Sequence, residues 1–266
     1  MGPYRSDIDG LRALAVFLVI GFHFNIEGFS FGFIGVDVFF VISGFLITGG
    51  VERALLKGNF SYFMFIQNRL KRLYPALLCM LLFSILFSLV FMLPYNLKTL
   101  GQSVVASIMF LNNILLYLTS GYWSSASAFK PLYHTWTLAV EWQFYLFFPL
   151  IISMLRAKVK IYVLVFTFIV SLTCFVVANR LNSEFAYLML PSRWWELASG
   201  SLMYYFIKRD SFNDKAHHYT SVSVCGIFVV FIYGVYLGLV LTVVLTVFFS
   251  CLMMLKPKQG ALITKI

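Results

Sequence analysis

The sequence predicts an all-α fold, a polytopic transmembrane helix bundle with about nine apolar segments, one of them expected to be re-entrant. Three observations predict it. Of 266 residues, 61% are hydrophobic and 11% charged, whereas a soluble domain has nearer half and a quarter because its surface must face water. The apolar residues fall into runs long enough to cross a hydrocarbon core of about 30 Å. None of the runs shows the alternation of an outer-membrane barrel strand.

In chain order, the first apolar stretch covers residues 11–26 and the second 34–50. The third, 74–93, is closed by Pro94, and a fourth, 103–118, is interrupted by Asn112-Asn113. Three more follow at 135–155, 161–178 and 187–207. The last block, 219–255, is too long for one helix and reads as two spans joined near residues 234–238. The amino end carries Asp7, Asp9 and Arg12 where a signal peptide has a basic region, and no A-x-A site follows. The first span is therefore expected to stay in the membrane. Neither an internal repeat nor a low-complexity linker stands out.

The net charge of +10 reflects topology, and no nucleic-acid partner is expected. Basic residues are expected in short loops between spans: Arg53, Lys57, Arg69, Lys71 and Arg72, then Arg156, Lys158 and Lys160, then Lys208, Arg209 and Lys215, then Lys256 and Lys258. The positive-inside rule puts such loops in the cytoplasm. The chain must then cross an even number of times between Arg72 and Arg156, yet three apolar segments lie there. One of them, either 103–118 or the polar start of the His134 segment, is expected to be re-entrant, which is tolerable where protein buries the backbone. In this orientation His23, Asp37, His134, Arg193 and Glu196 lie towards the outside. Arg12, Arg69 and Arg72 lie at the cytoplasmic face.

Ionisable residues inside spans are costly and so mark function by default. The set is Arg12, His23, Asp37, Glu141, Arg193 and Glu196. Arg193 and Glu196, three residues apart on one helix face, serve either a substrate or the pairing of helices. A histidine titrates near neutral pH and suits a proton acceptor. Arg12 and His23 are eleven residues apart, which on a helix is about 16 Å and close to three turns, so both share a face. One helix thus offers a phosphate-binding cation at one level and an imidazole further along.

Five strings of sequence carry a resemblance. They are Tyr4-Arg-Ser-Asp-Ile-Asp-Gly-Leu-Arg-Ala-Leu-Ala-Val, Gly35-Val-Asp-Val-Phe-Phe-Val-Ile-Ser-Gly-Phe-Leu-Ile-Thr48, Arg69-Leu-Lys-Arg-Leu-Tyr-Pro-Ala-Leu77, His134-Thr-Trp-Thr-Leu-Ala-Val-Glu-Trp-Gln-Phe-Tyr-Leu146 and Arg193-Trp-Trp-Glu-Leu-Ala-Ser-Gly200. In this order, over about 200 residues, they resemble the acyltransferase-3 family, in its O-antigen and peptidoglycan O-acetylase branch. Arg12 and His23 stand at that family's R-x10-H. The family usually has a second acidic residue after Glu141, where this chain has Trp142. It also continues into further helices with a Ser-Tyr-x-x-Tyr-x-x-His-type motif and often an SGNH hydrolase-like domain. On that comparison residues 1–266 are expected to be an acyltransferase-3 transmembrane domain truncated at its carboxyl end.

The resemblance implies a multi-pass protein of the bacterial inner membrane that relays acyl groups across the bilayer. The donor would be acetyl-CoA or another acyl-CoA on the cytoplasmic side, bound as a substrate, with no tightly bound cofactor and no metal. Arg12, Arg69 and Arg72 would hold its phosphates, since guanidinium forks suit phosphate oxygens, or Arg69 and Arg72 are plain positive-inside anchors. His23 would act as general base on a sugar hydroxyl or as a transient acyl acceptor. Asp37 would orient or charge-stabilise the imidazole. Glu141 and His134 are further candidates for proton transfer. The acceptor would be a cell-surface glycan or a lipid-linked glycan. A transporter or flippase is the rival class, because polar residues in a bundle also line substrate paths, but no paired halves are visible. An inactive fragment is the third.

Ser43 is not in a G-x-S-x-G elbow and is not expected to be a nucleophile. Gly35 and Gly44 are expected to let helices approach closely. Cys79, Cys174, Cys225 and Cys251 lie in apolar spans without C-x-x-C spacing and read as small core residues. His217-His218 is expected in a solvated loop with Asp214 and Lys215. Trp123, Trp136, Trp194 and Trp195 are expected in an interfacial belt.

Overall fold

The computed structural model describes residues 5–120, 130–209 and 216–255. Every regular element among them is a helix. Helix α1 is Ser6–His23, α2 Ile34–Leu56, α3 Tyr62–Phe91, α4 Pro94–Ile108, α5 Asn112–Ser120 and α6 Thr135–Met154. Helix α7 follows as Ala157–Leu181, α8 as Ser183–Leu188, α9 as Leu190–Arg209, α10 as Ala216–Leu237 and α11 as Leu239–Met253. Four of them, α2, α3, α6 and α7, are long and apolar enough to cross a membrane. The nine expected apolar segments thus become eleven helices among the described residues, and the differences have local causes.

Helix α3 begins twelve residues before the expected span and carries Arg69, Lys71 and Arg72 within it. Charge does not end a helix: Arg, Lys, Gln and Leu are all good formers, and the side chain of Ser61 caps the start by accepting from Met64 N at 3.4 Å. Arg53 likewise lies in α2, Lys158 and Lys160 in the first turn of α7, and Lys208 in α9. The expectation of loops for these cations is therefore corrected. Lys215, Lys256 and Lys258 lie outside the described residues.

The stretch 103–118 is broken rather than merely interrupted. Phe110 takes φ 54°, a left-handed conformation that ends α4 and starts α5 in a new direction. At 15 residues, α4 reaches about 22 Å, short of a crossing. A second break falls at Met189, so that the expected span over 187–207 starts instead at Leu190. The division of the last apolar block is found as expected, at Gly238 with φ 74°. His217 and His218 fall in the first turn of α10, while residues 210–215 lie outside the described residues.

The chain divides into two compact units. The first is Met1–Gly50, Ala157–Val170 and Trp195–Ile266. Its core helix is α2, whose Ile34, Val38, Phe40, Val41 and Ile47 are almost wholly buried. Gly44 lies against the backbone carbonyl of Leu197 on α9, and Gly200 against that of Val41, with no room for a Cβ at either. Gly35 meets Ala15 of α1 in the same way. The expected role of Gly35 and Gly44 is thus observed. Helices α10 and α11 fold back on each other at Gly238, where Gly226 admits the ring of Phe249. The amino end is tied down by Arg5, which donates to Asp7 Oδ1 at 2.8 Å and to the carbonyl of Met254 at 2.7 Å.

The second unit is Val51–Arg156 and Ser171–Trp194. Helices α3 and α6 run antiparallel in it: the Tyr62 hydroxyl donates to Leu146 O at 3.1 Å, while Tyr74 packs on Phe110, which stacks on Trp142. The far half of α3 exposes Phe83, Phe87 and Phe91 in a row, the first pair stacked and the second tilted. An apolar ladder of this kind suits contact with lipid tails.

Candidate active site

In the first unit, α1 carries two of the expected residues. Arg12 is half-buried and pairs with Asp9 one turn earlier at 3.1 Å. Asp7 and Asp9 place negative charge at the positive end of the helix dipole. His23 is the last residue of α1, is exposed, and has Nδ1 2.9 Å from the carbonyl oxygen of Val19. A carbonyl only accepts, so Nδ1 is the donor in this contact, and in the neutral ring the lone pair then lies on Nε2. The Phe22 ring meets the imidazole edge-on, at 5.5 Å and 88°. Beyond it, Asn25 at φ 50° turns the chain away. Asp37, on the first turn of α2, is buried at 2% exposure. Glu196 on α9 is buried at 0%.

The second unit holds the others. Glu141 on α6 accepts from the hydroxyl of Tyr145 at 3.0 Å, one turn further along. The guanidinium of Arg69 lies over the rings of Phe65 at 5.3 Å and Tyr145 at 5.8 Å. Arg72, one turn on, is exposed. His134 is exposed at the amino end of α6, where its carbonyl accepts from Thr137 at 3.0 Å. Arg193 is 3% exposed and lies over three rings, Tyr187 at 5.0 Å, Phe175 at 5.5 Å and Trp136 at 5.9 Å. Its Nε donates to Tyr187 O at 3.1 Å. An aromatic cage of this kind satisfies a buried cation structurally.

This cage corrects the tryptophan belt. Trp136 and Trp195 are 2% and 1% exposed, because Trp136 serves Arg193 and Tyr187 and Trp195 packs edge-on against Phe168. Trp194 packs on Phe144, and Trp123 lies outside the described residues. Two of the cysteines are not core residues either: Cys79 and Cys225 are exposed, whereas Cys174 and Cys251 are half-buried. Cys79 and Cys225 sit on helix faces turned away from the packed interior.

Sequence reasoning passes over a buried polar network at the α4–α5 break. Asn112 Nδ2 donates to Leu132 O at 2.9 Å and to Thr135 Oγ1 at 2.7 Å, and Ser107 shares that hydroxyl at 2.9 Å. Asn113 donates to Leu188 O and accepts from Gln143 Nε2 at 2.9 Å. Both asparagines are fully buried. The network fixes the backbone from which His134 and α6 emerge. Its one visible trace in the sequence is a pair of amides inside an apolar run.

Long lipid-suited helices with buried charges and an exposed imidazole define a helical membrane protein. The family model described as an acyltransferase domain matches residues 5–265, and the chain belongs to this acyltransferase-3 family. An uncharacterized protein of Haemophilus influenzae is 39% identical over 178 residues, 63% of this chain and 73% of that one. The O-acetyltransferase OatA of Staphylococcus aureus is 39% identical over 161 residues, 59% of this chain but 26% of its own length. A putative O-acetyltransferase of the same species is 36% identical over 162 residues, again 26% of its length. The chain thus spans about a quarter of the length of these two O-acetyltransferases. No solved structure matches it.

Proposed function

We propose that the chain is a multi-pass O-acyltransferase of the bacterial inner membrane, moving an acetyl group from cytoplasmic acetyl-CoA to a hydroxyl of an extracytoplasmic polysaccharide such as O-antigen or peptidoglycan. Residues 1–266 act as one transmembrane acyltransferase domain. The nine apolar segments of the sequence form its membrane portion, the broken α4–α5 pair being the re-entrant one. Family membership supports acyl transfer, and the names of two relatives support O-acetylation.

The single observation that carries the chemistry is the Val19 contact of His23, which leaves Nε2 as an acceptor at the exposed end of α1. Nε2 takes the proton of the acceptor hydroxyl, and the hydroxyl oxygen attacks the thioester carbonyl. The carbon–sulfur bond breaks, the ester forms, and the imidazolium returns its proton to the CoA thiolate. In the alternative order Nε2 attacks the thioester first and CoA leaves as the thiolate; the hydroxyl oxygen then takes the acyl group, the imidazole is restored, and the hydroxyl proton goes to the thiolate. Asp37 stabilises the imidazolium by its charge, Nδ1 being already engaged by Val19 O, and Glu141 and His134 move protons at the other steps. Arg12, Arg69 and Arg72 bind the donor phosphates. Arg193 and Glu196 hold the helices that frame the substrate.

The test is an assay of membranes bearing the chain for CoA thiol release from acetyl-CoA and for acetyl esters on surface glycan. His23→Ala abolishes both. Unchanged acetylation in that variant contradicts the assignment.

A further inference from the structure

Arg69 and Glu141 stand on different helices, α3 and α6, yet one side chain touches both. The hydroxyl of Tyr145 donates to Glu141 Oε2 at 3.0 Å, and the face of its ring receives the Arg69 guanidinium at 5.8 Å. We propose that Tyr145 is a positioning residue that couples the Arg69 cation to the Glu141 carboxylate, so that donor binding and proton transfer share one geometry. The coupling rests on the assignment of Arg69 to acyl-CoA phosphate binding and of Glu141 to proton transfer.

A phenol has two separable handles. Its π face is electron-rich and attracts a guanidinium, while its O–H donates a charge-assisted hydrogen bond to a carboxylate. A cation over the ring draws electron density from the oxygen and makes the O–H a better donor. A carboxylate at the O–H returns density to the face, so each charge strengthens the other. The ring is held for this purpose. Tyr145 is 6% exposed, the edge of Trp142 meets it at 6.4 Å and 75°, and its i, i+4 spacing from Glu141 sets both on one face of α6. Phe65, one turn before Arg69, closes the guanidinium from its own helix at 5.3 Å. A plain packing role for Tyr145 needs the ring and not the hydroxyl. A coupling role needs both, and the two requirements come apart by mutation.

The experiment uses the full chain in lipid nanodiscs, with CoA as the probe in calorimetric titration and acetyl-CoA thiol release as the turnover readout. Tyr145→Phe keeps the ring and loses the hydroxyl: CoA affinity stays within about twofold, and turnover falls roughly tenfold, the size of one lost hydrogen bond to a charged group. Tyr145→Leu loses both and also weakens CoA binding by about five- to thirtyfold, the range of a desolvated cation–π contact. Glu141→Gln added to Tyr145→Phe produces no loss of turnover beyond that of Glu141→Gln alone, because the hydroxyl acts on turnover only through the Glu141 carboxylate. Wild-type turnover in Tyr145→Phe, or equal CoA affinity in the Phe and Leu variants, overturns the coupling while leaving the donor reading intact, provided that Arg69→Ala weakens CoA binding. If the unaltered chain binds no CoA, the donor assignment falls and the coupling falls with it. The binding arm requires no turnover.

Discussion

His23 Nδ1 lies 2.9 Å from the carbonyl oxygen of Val19, one turn back along α1. The helix itself therefore chooses the tautomer, and no second side chain is needed to do so. His23→Asn keeps a donor near the Nδ1 position and loses the Nε2 acceptor. His23→Gln does roughly the reverse, although an amide oxygen is a far weaker base than an imidazole. Both variants are expected to lose about a hundredfold or more in acetyl transfer. Their CoA affinity in nanodiscs should match that of the unaltered chain.

Gly44 and Gly200 mark a close crossing of α2 and α9 in the first unit. A methyl group at either position would run into a backbone carbonyl, of Leu197 or Val41 respectively, and backbone cannot swing aside as a side chain tip can. Gly44→Ala and Gly200→Ala are expected to cost about 1–3 kcal/mol each, seen as a lower melting temperature in detergent. Gly50, inside α2 but with nothing within 4 Å of an added Cβ, is the control: Gly50→Ala should leave the melting temperature unlowered or slightly raised, since alanine is the better helix former.

Arg193 is held by ring faces, and its Nε bond to Tyr187 O uses the planar fork. A lysine keeps the charge and loses both the stacking plane and that nitrogen. Arg193→Lys is expected to destabilise the protein by about 1–2 kcal/mol, and Arg193→Ala by more. Thermal unfolding followed by tryptophan fluorescence would report it, since Trp136 lines the cage.

Asn112 is the hub of the α4–α5 break, and Asn112→Leu leaves Leu132 O with one donor fewer and Thr135 without its amide partner. The expected loss is about 1–3 kcal/mol. Limited proteolysis at residues 130–134, which Asn112 holds through Leu132 O, should accelerate in this variant while cleavage elsewhere stays the same.

Hydropathy makes the long helices legible, because a span of about twenty apolar residues has few other uses. The close approach at Gly44 and the hinge at Gly238 are legible too, since small residues in apolar runs have a narrow set of roles. The break at Phe110 is half legible: Asn112-Asn113 marks it in an apolar run, but the partners of those amides, Leu132 O and Leu188 O, are distant in sequence. The break at Met189 is not legible, because Ser192, which bonds the carbonyl of Phe185 there, looks like an ordinary polar residue in the string. The cations of α3 suggest a loop only because charge reports topology and not helix ends. Trp136 suggests an interface because its partner, a buried Arg193, is nearly sixty residues away in sequence. At the site, residue types point to His23 and Glu141, whereas Tyr145 needs the three-dimensional pairing of α3 with α6.

The most direct measurement uses sealed inside-out membrane vesicles given acetyl-CoA labelled in the acetyl carbon. With the unaltered chain, label should appear as base-labile ester on glycan inside the vesicles, beyond the reach of an added external esterase. His23→Gln should leave the interior unlabelled while CoA still binds. Label on the interior glycan at the unaltered rate in His23→Gln, or label confined to the outer face with the unaltered chain, would contradict transfer through His23 across the bilayer.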